Sequence, residues 1–169
     1  LVGNHPSYKT AVTFSINKSD IVTCVSNSLK KDTLDQFEIK KEIKVIPNFI
    51  DLNKYVIQQD LCLIENPTPS EEYIISHVSN FRPVKNISNV IKVFYNIQKE
   101  VKSKLLMIGE GPEKNNAEKM CEDLGISHLV KFLGNTNQVE KNLCHSDLFL
   151  LPSSTESFGL AALEAMASK

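Results

Sequence analysis

Glu156 and Glu164 stand eight positions apart and enclose Ser157, Phe158, Gly159 and a run of small apolar residues. Carboxylates beside a packed apolar face are unfavourable unless they meet partners. The pattern predicts a helix over Phe158–Met166, with Glu156 just before it and Glu164 about two turns inside. A rise of about 1.5 Å per residue separates the two carboxylates by about 12 Å along the axis. That is roughly the span from a sugar, across a diphosphate, to a ribose. The free N–H groups and positive dipole end of a helix start favour an anion, and Gly159 lets one come close. Ser157, Phe158, Gly159 and Leu160 would then hold phosphates while Glu156 and Glu164 accept hydrogen bonds from hydroxyls at either end. The same residues also suit a plainer role. Glu156 would face the helix dipole, Glu164 would be solvated, and Ala161, Ala162 and Ala165 would mark close helix–sheet packing.

Arg82 and Lys85 lie in the stretch Ser79-Asn80-Phe81-Arg82-Pro83-Val84-Lys85-Asn86. Two cations at the end of a strand can grip a diphosphate; taken alone, they equally suit two solvated surface charges. Gly109 and Gly111, in IGEGPEK, permit a tight turn and close approach of a ligand to the backbone, although a plain strand-to-helix turn explains them as well. A third glycine is missing, so this is no Rossmann dinucleotide fingerprint. His145, Asp147, Ser153 and Ser154 lie near one another in sequence. Without a G-x-S-x-G elbow, they do not form a hydrolase nucleophile site. His77 reads as a packed residue rather than a ligand. No Asp-rich or His-rich spacing predicts a metal site, and no cofactor is expected.

These side chains need a scaffold that brings distant loops together. Tyr8, Ala11, Val12, Ser15 and Ile16 follow helical spacing after Pro6 and a cap at Ser7. DIVTCVS is a β-branched strand. Ser26 caps a helix carrying Leu29, Leu34 and Phe37, and IKVI is a strand stopped by Pro47. A less regular stretch follows to Ser70, punctuated by Pro47, Pro67 and Pro69, with one short helix over Leu52–Leu63.

Beyond it, Tyr73–Val78 reads as a strand. Ile87, Val90, Ile91, Phe94, Ile97 and Val101 make a helical stripe, and LLMI is a strand. Ala117, Met120, Cys121 and Leu124 make a helical face ended by Gly125. Strands at Leu129–Leu133 and Leu148–Leu151 flank a short helix at Val139–Leu143. Strands alternating with helices imply an α/β fold with a parallel sheet covered on both faces. Ligands of such sheets bind beyond the carboxyl ends of the strands. The loops there are VSNFRPVKN, IGEGPEK, FLGNTNQ and LPSSTESFG. They contribute Ser79, Asn80, Gly109 and Gly134 beside the residues already named. A domain boundary is expected near Pro47 to Asp51.

The composition excludes several classes. The 169 residues are 41% hydrophobic, enough for a real core. A formal net charge of -1 without a basic tract argues against nucleic acid as the main partner. No apolar run approaches the ~20 residues of a membrane-spanning helix. Cys24, Cys62, Cys121 and Cys144 form no C-x-x-C pair, which suggests reduced thiols in a cytoplasmic protein. The sequence begins without Met and ends at Ala167-Ser168-Lys169, so it reads as a piece of a longer protein.

Taken in order, the loops resemble the retaining glycosyltransferases with the GT-B fold and the E-x7-E motif. Glu156 and Glu164 match that motif, Arg82 and Lys85 match its diphosphate-binding pair, IGEGP its glycine turn, and IPNFID its interdomain segment. Most of that family has Gly-Arg where this chain has Asn80-Phe81-Arg82. HVSNFRPVKN, LLMIGEGPEK and ESFGLAALEAMAS are similar to a branch that moves N-acetylglucosamine from UDP-N-acetylglucosamine to L-malate, the first step of bacillithiol synthesis.

The resemblance implies two Rossmann-like domains. Residues 1–47 would be the end of the acceptor-side domain and residues 48–169 most of the nucleotide-sugar donor domain. It implies retention at the anomeric carbon, no metal, and UDP-sugar as substrate rather than cofactor. Arg82, Lys85 and Glu156 would be catalytic. Ser79, Asn80, Gly109, Gly134, Ser157, Phe158, Gly159, Leu160 and Glu164 would bind the nucleotide sugar. The piece alone would be inactive, and self-association is left open. Two other readings compete. One is a relative that glycosylates a lipid carrier or wall polymer; the other is a non-catalytic nucleotide-binding module.

Overall fold

The computed structural model describes residues 6–55 and 72–168. They fall into two compact units, Leu1–Phe49 with Ser157–Gly159, and Ile50–Glu156 with Leu160–Lys169.

In the first unit, helix α1 (Pro6–Lys18) precedes β1 (Val22–Cys24), α2 (Asn27–Gln36) and β2 (Ile43–Val45). The two strands pair in parallel, Val22 opposite Ile43 and Cys24 opposite Val45. Ser26 starts α2 for the reason its residue type predicts. Its Oγ accepts the Leu29 N–H at 3.1 Å, satisfying one of the free donors of the first turn. The same hydroxyl donates to the Ser157 carbonyl at 2.7 Å.

The second unit begins with a short 3-10 turn, Leu52–Tyr55. The remainder of the helix expected over Leu52–Leu63 lies outside the described residues, as does Cys62. Then come β3 (Tyr73–Val78), α3 (Ile87–Glu100), β4 (Ser103–Ile108), α4 (Lys114–Asp123), β5 (Val130–Gly134), α5 (Val139–Leu143), β6 (Leu148–Phe149) and α6 (Leu160–Ala167). The strands are all parallel in the order β5-β4-β3-β6. Strand β4 is buried along nearly its whole length, as an inner parallel strand covered on both faces must be.

The core forms where the stripe of α3 meets this sheet. Val90, Ile91 and Phe94 are fully buried with Ile75, Leu105 and Met107. Each such side chain stabilises the fold by about 1.5–3 kcal/mol. Ala117 and Cys121 of α4 join the same cluster.

Three boundaries differ from the sequence pattern. Strand β5 starts at Val130 because Ser127–Leu129 forms a 3-10 turn. Strand β6 is only two residues long, pairing Leu148 with Ile75 and Phe149 with Ser76. Helix α6 starts at Leu160 rather than Phe158, since Gly159 holds φ 84, outside helical space. The cysteines are also not uniform. Cys24 and Cys121 are free thiols, whereas Cys144 is disulfide-bonded, which corrects the expectation of reduced thiols throughout. Burial, then Glu118 and Glu122, pushes the Cys121 thiol up to about 11.

Candidate functional site

Parallel pairing puts the carboxyl ends of β3, β4, β5 and β6 on one edge of the sheet, so the four loops meet there. Backbone hydrogen bonds lock the first three together. Ser79 N–H donates to Ile108 O at 3.1 Å, and Gly109 N–H to Gly134 O at 2.9 Å. Phe81 N–H donates to Glu110 O, and Glu113 N–H to Phe81 O, both at 2.9 Å. The Phe81 ring is fully buried and anchors the Ser79–Lys85 loop in the core.

This interlock gives the glycines a structural reason. Gly109 has φ 129, and a Cβ there would lie 1.8 Å from the Ser79 carbonyl oxygen. Gly111 has φ 157, and its Cβ would meet Phe81 backbone atoms at 2.7 Å. The space a side chain would need is filled by protein rather than left for a ligand, and the Gly109 amide is already spent. At Gly134, a Cβ would come within 2.9 Å of Glu110 Oε1, which accepts from Lys114 Nζ at 2.6 Å.

Two of the predicted site residues come together directly. Lys85 Nζ lies 2.5 Å from Glu156 Oε1, with the two side chains only 20% and 27% exposed. Burial alone would raise the Glu156 carboxyl. The Lys85 hydrogen bond, then the Ser153 hydroxyl, the Lys85 charge and His77, together outweigh it and hold the carboxyl below its ordinary value. Lys85 closes a 3-10 turn, Pro83–Lys85, that starts at Arg82. The turn is fixed from the β6 side, where Ser154 N–H donates to Val84 O at 2.9 Å and Asn86 Nδ2 donates to Pro152 O at 3.2 Å. Asn86 sits at φ 57, a left-handed value that asparagine tolerates. Arg82 and Asn80 are exposed, and Arg82 takes no salt bridge among the described residues.

Glu164 lies half-buried on α6 and has a partner the sequence did not announce. The neighbour is Tyr55, from the Leu52–Tyr55 turn: burial first, then the Glu164 charge and the pull of its carboxylate on the hydroxyl hydrogen, push the Tyr55 hydroxyl up to about 12. Ser157 and Leu160 are exposed and Phe158 is half-buried; Ser157–Gly159 group with the first unit. His77 is packed, as its place on the strand predicts; it is fully buried, and both ring nitrogens are engaged. Nδ1 lies 2.8 Å from Leu150 O and Nε2 lies 2.7 Å from Ser79 Oγ.

Among the described residues no group of three or more His, Cys, Asp or Glu is arranged to hold a metal ion, and no helix is long and apolar enough to cross a membrane. A cavity of about 350 Å³, lined by residues including Ile74, Lys104, Leu106, Lys131 and Asn142, contains none of the candidate residues.

Comparison with known proteins gives this geometry a context. Residues 63–169 match the family model described as glycosyl transferases group 1, and residues 3–54 match glycosyltransferase family 4. The chain is 40% identical over 169 residues to an N-acetyl-alpha-D-glucosaminyl L-malate synthase of Bacillus anthracis, covering 99% of this chain and 44% of that protein. It is 31% identical over 158 residues to an alpha-monoglucosyldiacylglycerol synthase of Streptococcus pneumoniae, covering 88% of this chain and 36% of that protein. The fold matches Anabaena HepE, solved with UDP and glucose, with a TM-score of 0.84 and 20% identity over 96% of this chain and 46% of that one. The chain thus spans less than half the length of these relatives.

Proposed function

The chain belongs to the glycosyl transferases group 1 family and has a GT-B-type α/β fold, and from that premise we propose that the enzyme carrying it transfers N-acetylglucosamine from UDP-N-acetylglucosamine to L-malate. The observation that carries this reading is the 40% identity, along 99% of the chain, to a synthase named for that product. The reaction would open bacillithiol synthesis in the cytoplasm and proceed with retention at the anomeric carbon, without a metal ion.

The site's own chemistry supports a sugar–diphosphate substrate. As the bond from the anomeric carbon to the leaving phosphate lengthens, negative charge grows on the diphosphate. Arg82 is exposed and available, and Lys85 stands on the same short turn. Charges fixed there before the reaction stabilise the transition state more than mobile ones do. The start of α6, with Ser157, Phe158, Gly159 and Leu160, adds backbone N–H groups and the helix dipole. Ser79 and Asn80 precede the cations on the same loop, which the turn at Gly109, bonded to Gly134, helps keep in place. Glu156 would orient the sugar through a hydroxyl, and Glu164 would accept the ribose hydroxyls. That the chain carries both cations and both carboxylates of the pattern supports a catalytic site over a bare binding module.

Incubation of the complete enzyme with UDP-N-acetylglucosamine and L-malate tests the proposal. The expected products are UDP and the malate glycoside with unchanged anomeric configuration. The similarity to the diacylglycerol-directed enzyme favours one second reading, a lipid acceptor. Transfer to diacylglycerol with none to malate would establish it.

A further inference from the structure

We propose that His77 is a positioning residue that fixes the Ser79 hydroxyl as a hydrogen-bond acceptor for the transferred sugar. The assignment rests on the donor-site reading above and extends it to the polarity of one hydroxyl.

A carbonyl oxygen can only accept, so the 2.8 Å contact to Leu150 O requires a hydrogen on His77 Nδ1. His77 is fully buried on β3, and desolvation pushes its pKa below the ordinary value, which favours the neutral ring. A neutral imidazole carries one N–H, so Nε2 is a bare acceptor. Ser79 Oγ, 2.7 Å away, must therefore donate to it. The charged groups that bear on the ring oppose each other: Lys85 disfavours the imidazolium and Glu156 favours it, and they are paired. The buried Phe81 ring packs 6.1 Å from the imidazole, centroid to centroid, and helps hold its orientation.

Ser79 has one hydroxyl proton, and His77 takes it. What the half-buried hydroxyl can offer a ligand is lone pairs alone. Phosphate oxygens are acceptors, so this hydroxyl has no hydrogen for them. Although Ser79 is three residues from Arg82, it stands apart from the diphosphate grip. The group it can take is a donor, an O–H or N–H, and within a sugar nucleotide the transferred sugar carries such groups beside the diphosphate. A phosphate-binding serine would need its proton free, and a buried acceptor behind it would be counterproductive.

Calorimetry on the complete enzyme, with UDP and with UDP-N-acetylglucosamine, reads the assignment directly. Ser79→Ala should weaken the sugar nucleotide roughly fivefold to tenfold, as for loss of one hydrogen bond. Affinity for UDP should stay within about twofold. Equal losses for both ligands would place Ser79 on the UDP part, whether diphosphate, ribose or base, and overturn the assignment. Wild-type enzyme binding neither ligand would instead overturn the donor-site reading itself.

The part played by His77 has its own readouts. Its nitrogen-15 shifts at neutral pH should report a protonated Nδ1 and a bare Nε2. An imidazolium, or the opposite tautomer, would refute the argument. In turnover, His77→Phe should cost about as much as Ser79→Ala and add little in the Ser79→Ala background. Additive losses in the double variant would mean that His77 acts only through packing.

Discussion

Replacing Gly109 by alanine separates loop geometry from side-chain chemistry, because no candidate polar side chain is removed. A residue other than glycine at φ 129 occupies sparsely populated backbone space, at a cost of about 1–3 kcal/mol. The added Cβ would also stand 1.8 Å from the Ser79 carbonyl oxygen, about 1.6 Å short of the 3.4 Å at which ordinary contact begins. The obstacle is backbone, so no side chain can swing aside. Relief requires the Ser79–Lys85 loop to move, straining the Ser79–Ile108 and Phe81–Glu110 hydrogen bonds, each worth about 0.5–1.5 kcal/mol. The expected loss is about 2–6 kcal/mol, a large part of the 5–15 kcal/mol typical of a folded domain. That loop carries Arg82 and Lys85, and a displacement near 1 Å can reduce turnover about 100-fold.

Gly125→Ala is the control. Its φ of 69 is also positive, but a Cβ there meets nothing within 4 Å, so it should cost strain alone and leave turnover intact. The assays are thermal unfolding of the complete enzyme and steady-state kinetics below both transitions. A Gly109→Ala enzyme with the melting temperature and turnover of Gly125→Ala would refute the interlock.

Other expected outcomes concern the charges. Arg82→Ala or Lys85→Ala should lower turnover on the order of 100-fold while affecting UDP affinity less; steady-state kinetics with near-normal turnover in both would remove them from the mechanism. Activity should survive EDTA, and a loss restored by magnesium or manganese would contradict the metal-free reading. Because the folded Glu156 carboxyl titrates below its ordinary 4.5, its contribution to stability is present above that value and fades as pH falls through the lowered one. Melting curves of wild type and Glu156→Gln should thus differ above about pH 4.5 and converge in stronger acid; a constant gap would exclude the linkage. Tyr55→Phe should weaken UDP about threefold to tenfold by calorimetry, with no further loss in a Glu164→Gln background; unchanged affinity would leave Tyr55 without a part in binding.

How much the sequence revealed follows the range of the interactions involved. The stripe of α3 was legible because helical periodicity is local, and Val90, Ile91 and Phe94 are indeed buried where it places them. The order of strands and helices, and the convergence of four loops at one sheet edge, follow from the same local patterns plus parallel topology. The Ser26 cap was legible from residue type and position. The purpose of Gly109 was not, because its neighbour Ser79 belongs to another loop brought there only by the β3–β4 register. Tyr55 and Glu164 lie far apart in sequence, on a turn and a helix with no shared pattern. The extent of β6 was over-read, since apolar Leu150 and Leu151 look like strand but lie beyond the two paired residues.

The two carboxylates of the E-x7-E pattern share a feature that spacing could not reveal: each already has a protein partner. Glu156 accepts from Lys85, and the Tyr55 hydroxyl feels the charge of Glu164 beside it. A half-buried carboxylate with no donor would be costly to keep, so these partners solve in the fold the problem that the apolar sequence around them creates. The partners differ in kind, and the difference matters for substrate binding. Tyr55 is neutral and has one hydrogen to donate, which would leave most of the acceptor capacity of Glu164 for the pair of hydroxyls proposed above. Lys85 is a cation, and a diphosphate arriving beside it would compete with Glu156 for its charge. Binding of the donor would then loosen the Lys85–Glu156 pair, turning the lysine toward the leaving group and freeing a Glu156 oxygen for the sugar. On the donor-site reading proposed above, one ion pair would keep both groups satisfied before the substrate arrives and would supply both roles once it does.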